Sequence, residues 1–398
     1  MNRNTDFIPF ARPVLGEREI DAAVRVMKSG WLTTGAQALA FEREFAAFCG
    51  ARHALAVNSA TAGLHLSLDA LDLEPGSLVL TTPYTFAASA EVVRYVGCDP
   101  FFVDIDRHTY NLDPRLVERS LERRAGRIRA VLPVHVGGMP CDMSTIGRLC
   151  RAAAIPLVED AAHAFPVRTR RGFVGTLGDT GVFSFYANKT ITTGEGGMIV
   201  TGRDDLARRM KLMRLHGIDR DSWDRYTSRT ASWEYYVVEA GYKYNMSDLA
   251  AAIGRVQLQR ADEFLRRRRD VARRYLQGLG DCDFLELPRY QKEHAWHLFM
   301  IRLVPERLKI SRDEFIGRLA EAGIGVSVHY RPLHLMPYYQ KRYGLRPEDF
   351  PVSLRNFLTT ISLPIYPSLG REQVARIVET VRQIGYTAVK ARSIPTGG

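Results

Sequence analysis

No stretch of the chain approaches the roughly 20 consecutive apolar residues that cross a bilayer, so no membrane span is expected. Cysteine is scarce. Cys49, Cys98, Cys141, Cys150 and Cys282 are odd in number and scattered, and none belongs to a CxxC pair. That leaves no basis for a disulfide framework or a zinc site, and it suits a reduced, cytoplasmic protein. Residues 1–13 mix polar and aromatic types without an apolar h-region, so no secretory signal is expected. Internal repeats and low-complexity blocks are absent. So is the basic–aromatic interleaving of single-strand binders. Without a helix-turn-helix signature, a DNA-binding regulator is disfavoured and no nucleic-acid partner is expected. The net charge of +11 and the pI of about 9.5 nevertheless permit a polyanionic partner, such as a diphosphate-bearing substrate. The densest basic run, 266–269, reads as the solvated face of a helix whose apolar side carries Leu265 and Tyr275.

What is present is a globular chain, 46% apolar and 25% charged. At 398 residues it exceeds one ordinary core and predicts two domains. Helical spacing occurs over 15–27, where Ile20, Ala23, Val24 and Met27 recur, and again over 40–48. Short apolar runs then alternate with helical patterns. The runs are 54–57, 78–81, 101–103, 130–133, 155–158, 182–185 and 197–200. Helical patterns occupy 61–71, 87–96 and 143–153. This alternation predicts an α/β domain with a mostly parallel sheet covered on both faces. The expected division is an arm over 1–14, a large domain over 15–248, a linker helix and small α+β domain over 249–390, and a disordered tail over 391–398. One helical stretch is expected from 247 to 279. Strands are expected at 297–303 and 325–328, and helices at 312–322 and 371–384.

Four segments could carry chemistry, each where an apolar strand ends. Ligands of open α/β sheets bind at such carboxyl ends. After Ser184-Phe185-Tyr186-Ala187-Asn188 comes Lys189, then Thr193-Gly194-Glu195-Gly196-Gly197. A lysine desolvated there becomes a usable amine nucleophile. Alone it reads as ordinary surface. Ile155-Pro156-Leu157-Val158-Glu159 leads to Asp160, which could pair with the pyridinium nitrogen of pyridoxal phosphate or merely cap a helix. His163, three residues on, could face the ring or be a satisfied helix residue. Asn58-Ser59-Ala60-Thr61 opens a helix, where free N–H groups cradle phosphate. Thr82-Pro83-Tyr84-Thr85-Phe86 supplies an aromatic that could stack on a planar cofactor or sit in the core. One cofactor would use all four segments, and their joint presence is far more specific than any one of them.

The chain resembles the sugar aminotransferases of fold-type I pyridoxal-phosphate enzymes, the DegT/DnrJ/EryC1/StrS family, over nearly its whole length. The motifs include 29–35 (SGWLTTG), 58–62 (NSATA), 83–86 (PYTF), 102–106 (FVDID), 159–163 (EDAAH), 184–189, 194–197 (GEGG), 241–245 (GYKYN) and His329-Tyr330. Within the family, 159–163, 242–245 and 294–299 look most like the enzymes making nucleotide-linked 4-amino-4-deoxy-L-arabinose.

The resemblance implies that Lys189 is the Schiff-base lysine and moves the proton between Cα and C4′. It implies that Asp160 pairs with the ring nitrogen, His163 contacts the ring hydroxyl and Phe86 stacks. Ser59, Ala60, Thr61 and Ser184 would bind the phosphate. Asn245 would reach the phosphate of a neighbouring subunit in a homodimer with shared sites. Thr33, Tyr186, His329 and Tyr330 would line the sugar pocket. The implied substrates are L-glutamate, returned as 2-oxoglutarate, and a nucleotide-linked keto sugar, with C4 the first choice. A keto-cyclitol or 3-keto sugar would use the same cofactor motifs. Many members carry Gly in place of Ala60 and Gln in place of His163. Related dehydratases carry His in place of Lys189, so its retention favours amine transfer. The polar, aromatic segment 216–236, with Trp223, Arg225, Trp233 and Tyr236, reads as a long loop. Loops of that length are uncommon unless functional, and this one is expected to reach a partner's site.

Overall fold

The computed structural model describes residues 7–219 and 234–390. The start of the expected arm, the tail 391–398 and the middle of the 216–236 loop, including Trp223, Arg225 and Trp233, lie outside the described residues.

Two helices open the chain, α1 (Glu17–Ser29) and α2 (Ala36–Cys49). A left-handed glycine stops each, Gly30 at φ 74° and Gly50 at φ 76°. Strands and helices then alternate: β1 (His53–Val57), α3 (Ala60–Asp69), β2 (Leu78–Thr81), α4 (Ala88–Tyr95), β3 (Asp99–Phe102), α5 (Pro114–Arg123), β4 (Ile128–Val131), α6 (Met143–Ala152) and β5 (Val158–Asp160). A two-residue hairpin, β6 (Arg168–Thr169) with β7 (Gly172–Phe173), precedes β8 (Thr180–Ser184), β9 (Gly197–Thr201) and α7 (Asp204–Met213). The helix starts are chemically marked. Ser59 accepts the Ala62 N–H, Asp142 accepts the Thr145 N–H, and Asp113 precedes a proline at the first helical position.

The strands form two groups, β1-β9-β8-β5 and β3-β2-β4. Parallel bridges Val131–Leu157 and Val134–Asp160 join them edge to edge. Only β9 runs against its neighbours β1 and β8; β5–β8, β2–β3 and β2–β4 are parallel. Alternate residues of the same strands feed separate cores. Val57, Val182 and Ile199 pack with Leu64, Leu68 and Met210, whereas Ala56, Phe183 and Met198 pack with Phe41, Phe45 and Phe264. A sheet buried on both faces must read as unbroken apolar runs, which is the pattern of the sequence.

Helices α8 (Asp248–Gln259) and α9 (Ala261–Leu279) replace the single expected stretch. The chain breaks at Arg260 (φ −102°, ψ 0°), whose guanidinium reaches the buried Glu19 at 2.9 Å. A tertiary contact thus overrides a continuous helix former. The C-terminal part holds β10 (Leu285–Glu286), β11 (Phe299–Leu303), α10 (Arg312–Glu321), α11 (Pro337–Tyr343), α12 (Pro351–Thr359), β12 (Thr360–Leu363) and α13 (Arg371–Ala388). Its core is Phe284, Phe299, Ile301, Phe315, Ile361 and Ile377, joined by Ile8 from the arm. The expected strand over 325–328 does not form. The arm takes its place: Gly325 N–H donates to Ile8 O and Ile8 N–H to Gly323 O, leaving one bridge, Ser327–Ser362.

Two side-chain placements differ from the sequence reading. On α1 the buried residues are Glu19, Ala22 and Val26, while Ile20 and Met27 are 51% and 54% exposed. Within the basic run 266–269, Arg268 is 2% exposed, so that run is not wholly a solvated face.

Strand β5 ends in two adjacent carboxylates with opposite surroundings. Glu159 accepts N–H bonds from Gly175 (2.9 Å), Leu177 (2.6 Å) and Gly178 (2.7 Å) and lies 3.1 Å from His135 Nε2. His135 Nδ1 accepts the Cys141 N–H, and Nε2 donates to Glu159. Glu159→Ala strands these buried donors, and a loss of about 3–5 kcal/mol is expected. A thermal midpoint within a degree of wild type would refute it.

Candidate active site

The second carboxylate, Asp160, faces a cavity of about 460 Å³ at the carboxyl ends of the strands. The turn after β1 brings Ser59, Ala60 and Thr61 to this cavity. The segment after β2 brings Phe86, β5 brings Asp160 and His163, and β8 brings Ser184, Tyr186 and Lys189. The stretch before α11 brings His329 and Tyr330. Every residue matched in the sequence to the cofactor or the sugar lines this space except Thr33 and Asn245, and Tyr236 of the long loop does not line it either. The Asn245 amide donates to Thr34 Oγ1 at 2.6 Å, and the Thr33 carbonyl accepts the Asp248 N–H. A larger cleft, about 700 Å³, lies beside Arg107, Glu286 and Arg302, where both arginines pair with Glu286.

Lys189 is half-buried, and desolvation is the main reason its amine falls to about 8; Asp160 opposes that shift and Arg268 adds to it. Burial pushes Asp160 up, against the Ser89 hydroxyl (2.8 Å), the Ala162 N–H (3.1 Å) and nearby Lys189. A cation placed against this carboxylate would hold it ionised.

His163 is locked in one tautomer. Its Nδ1 accepts the Gly137 N–H (3.2 Å), so Nε2 carries the proton and donates to Tyr330 Oη at 3.0 Å. Burial keeps this imidazole neutral, helped by the charge of Lys189. The Tyr330 hydroxyl, already accepting from His163, keeps its own proton for an acceptor in the cavity. Its ring lies 6.4 Å from Phe86, which is 63% exposed and open to a planar ligand. His329 bonds Ser362 Oγ (2.9 Å) and stacks on Phe10, and burial lowers it to about 4.

The cavity has the shape and donors that pyridoxal phosphate requires. The amides of Ala60 and Thr61 donate to no protein group among the described residues, at the start of α3 where an anion is stabilised. Asn188 Oδ1 is buried, borders the cavity and has no partner among the described residues. A Cβ on Gly197 would stand 2.8 Å from Ala60 N. Gly197 is therefore glycine for close approach to the Ser59–Ala60 turn, and within GEGG only Gly194 (φ 82°) takes a left-handed backbone.

Sequence reading missed Ser89, which steadies Asp160, and Asn188, which adds an acceptor. It also missed His297, whose ring packs on His163 at 4.4 Å. Ser89 sits on a helix one turn past Phe86, a spacing that would have pointed to it. The contact of His297 joins residues far apart in the chain and left no local signal.

The model of the DegT/DnrJ/EryC1/StrS aminotransferase family matches residues 13–382. The chain is 41% identical, over 96% of its length and 98% of the relative's, to the spore coat polysaccharide biosynthesis protein SpsC of Bacillus subtilis (strain 168). Among solved structures it resembles the putative sugar aminotransferase Spr1654 of Streptococcus pneumoniae. The PMP form has TM-score 0.88, 31% identity and coverage of 96% and 99%; a PLP form is also similar. Helicobacter pylori PseC, an aminotransferase involved in the biosynthesis of pseudoaminic acid, matches at TM-score 0.88 and 27% identity, covering 96% of this chain and all of its own. These neighbours belong to different sugar pathways, so they do not single out the arabinose branch. With Lys189, Asp160 and the free amides of Ala60 and Thr61 around one cavity, this chain is a pyridoxal-phosphate-dependent member of the DegT/DnrJ/EryC1/StrS aminotransferase family.

Proposed function

We propose that the protein transfers an amino group from L-glutamate to a keto group, at C4, of a nucleotide-linked sugar. The observation that carries this reading is Lys189 and Asp160 bordering one cavity beside Phe86 and the unfilled amides of Ala60 and Thr61. When bound, pyridoxal phosphate supplies the aldehyde that carries the amine and the ring that takes up the electron pair released at Cα. Asp160 holds the proton on the ring nitrogen, which keeps that ring electron-poor. Lys189, freed from the aldehyde by the incoming amine, accepts the Cα proton at Nζ and returns it to the opposite end of the transferred amine. Ser59, Ala60, Thr61 and Ser184 hold the phosphate, Phe86 covers one ring face, and His163 faces the ring hydroxyl. Tyr186, His329 and Tyr330 line the sugar side, with the Tyr330 hydroxyl donating to a sugar oxygen.

The reading includes a homodimer with shared sites. Among the described lining residues Lys189 is the only cation, since burial keeps His163 and His329 neutral. The phosphate, the donor carboxylates and a nucleotide diphosphate are all anions. A second copy would bring Asn245 and Thr33, which lie outside their own cavity, and would cover the exposed Ile20–Met27 ridge of α1. Mixing Lys189→Ala with Asn245→Ala protein is expected to restore activity through hybrid dimers that carry one intact site. Mixtures no more active than their parents refute the shared site. Five free, buried cysteines suit a cytoplasmic location.

Substrate identity is tested by offering a panel of keto sugars, with and without a nucleotide, together with glutamate. Nucleotide-linked 4-keto sugars are expected to give the highest kcat/KM. A preference for a free keto-cyclitol or a 3-keto sugar would overturn the assignment.

A further inference from the structure

Both side-chain oxygens of Asp160 are held by uncharged groups. Oδ1 accepts the Ala162 N–H at 3.1 Å, and Oδ2 accepts the Ser89 hydroxyl at 2.8 Å. A lysine or arginine in either place would use up the charge of the carboxylate. A hydroxyl and an amide orient it and leave that charge for a ligand. Ser89 has a second partner, the Thr85 hydroxyl, at 2.8 Å. A serine carries one hydroxyl proton, and this one goes to Asp160. The Thr85–Ser89 contact therefore runs from the threonine hydroxyl to the serine oxygen. The result is a one-way chain from Thr85 through Ser89 to Asp160, and all three side chains are buried and border the cavity.

The root of this chain is fixed in place. Thr85 lies just before α4 and Ser89 in its first turn, so the entry to the helix brings the hydroxyls together. The strand end ahead of them is tied down as well. Tyr84 N–H donates to Thr82 Oγ1 (3.0 Å), Tyr84 Oη to His329 O (2.8 Å), and Leu333 N–H to Pro83 O (2.7 Å). Phe86 falls between Thr85 and Ser89 in the sequence, so the segment that offers the stacking ring also carries the hydroxyls.

We propose that Thr85 and Ser89 are positioning residues for the cofactor's ring nitrogen, a relay of hydroxyls that aims the Asp160 carboxylate at it without neutralising it. The bond that Ser89 accepts from Thr85 polarises its own O–H and strengthens the bond it donates. Removing the Ser89 hydroxyl leaves Asp160 Oδ2 without that donor. Removing the Thr85 hydroxyl weakens the same bond from one step further out. Both losses reach the cofactor through its ring nitrogen alone. The proposal rests on the reading of Asp160 as the ring-nitrogen partner.

The test compares the binding of a pair of ligands to the cofactor-free full chain by equilibrium dialysis. One is pyridoxal phosphate. The other is its deaza analogue, in which C–H replaces the ring nitrogen while the aldehyde and the phosphate remain. Ser89→Ala is expected to weaken pyridoxal phosphate about tenfold, the scale of one hydrogen bond to a charged group, and the deaza analogue by less than about twofold. Thr85→Val, which keeps the shape and loses the hydroxyl, is expected to weaken pyridoxal phosphate about threefold. Thr85→Ser, which keeps the hydroxyl, should bind it almost as the wild type does. Equal losses for both ligands in a folded Ser89→Ala protein, or no loss for either, overturn the proposal. Should that variant fail to fold, the Thr85 pair decides: pyridoxal phosphate bound no more tightly by Thr85→Ser than by Thr85→Val overturns it too. A merely structural role predicts that order, because serine gives up the packed methyl group and valine does not. Wild-type protein that binds both ligands equally well sinks the reading of Asp160 itself, whatever Ser89 and Thr85 do.

Discussion

Lys189→Ala is expected to leave a folded protein whose turnover has fallen by at least ~10³-fold, the scale of a lost acid–base group in a proton transfer. The fold is spared because the backbone N–H of residue 189, bonded to Tyr186 O at 2.9 Å, is untouched by the change. The lost amine can be supplied from outside. A small primary amine such as methylamine should enter the cavity of about 460 Å³ and restore part of the rate, with a pH dependence that follows the added amine. The measurement is the half-reaction with glutamate, followed by cofactor absorbance in a stopped-flow instrument. A variant that still transaminates at a tenth of the wild-type rate would remove Lys189 from the mechanism.

Asp160→Asn carries the second large effect. The amide fills the same volume and can still accept the Ser89 hydroxyl at the position now 2.8 Å away, so packing survives. What goes is the negative charge. Breaking one buried pair costs about 3–5 kcal/mol, or roughly 10²–10⁴-fold in cofactor affinity. Turnover should fall as well, since a ring without its nitrogen proton accepts electrons poorly. Equilibrium dialysis against pyridoxal phosphate separates the two losses. Unchanged affinity together with unchanged turnover would show that the ring nitrogen is held elsewhere. Asp160→Glu, longer by one methylene, keeps the charge and should retain more affinity than Asn.

Most of the cavity was legible in the sequence because its parts lie on consecutive strand ends, each with a local signature. Ser59 caps a helix, Asp160 closes an apolar run, and Lys189 precedes a glycine turn. The strands were legible for a related reason: double-sided burial writes unbroken apolar runs. What escaped depends on partners distant in the chain. The antiparallel sense of β9 is set by its neighbours, not by its composition. The break at Arg260 answers to Glu19, and the missing strand over 325–328 answers to Ile8. Arg268 was hidden by its neighbours in a basic run, because charge alone does not say which arginine turns inward. The outward Ile20–Met27 ridge shows the converse, since helical periodicity locates an apolar face without naming what covers it.

The paired carboxylates at the end of β5 carry a further consequence. Glu159 sits opposite Gly181 and Asp160 opposite Val182 in β8. Successive strand residues point to opposite sides of a sheet, so a slip of one position would exchange the two. The longer acid would then face the cofactor cavity and the shorter would hang short of the amides of Gly175, Leu177 and Gly178. The accuracy with which β5 docks on β8 during folding therefore decides whether Asp160 faces the cavity at all. A misregistered strand would be a catalytic error before it was a visible defect in the fold.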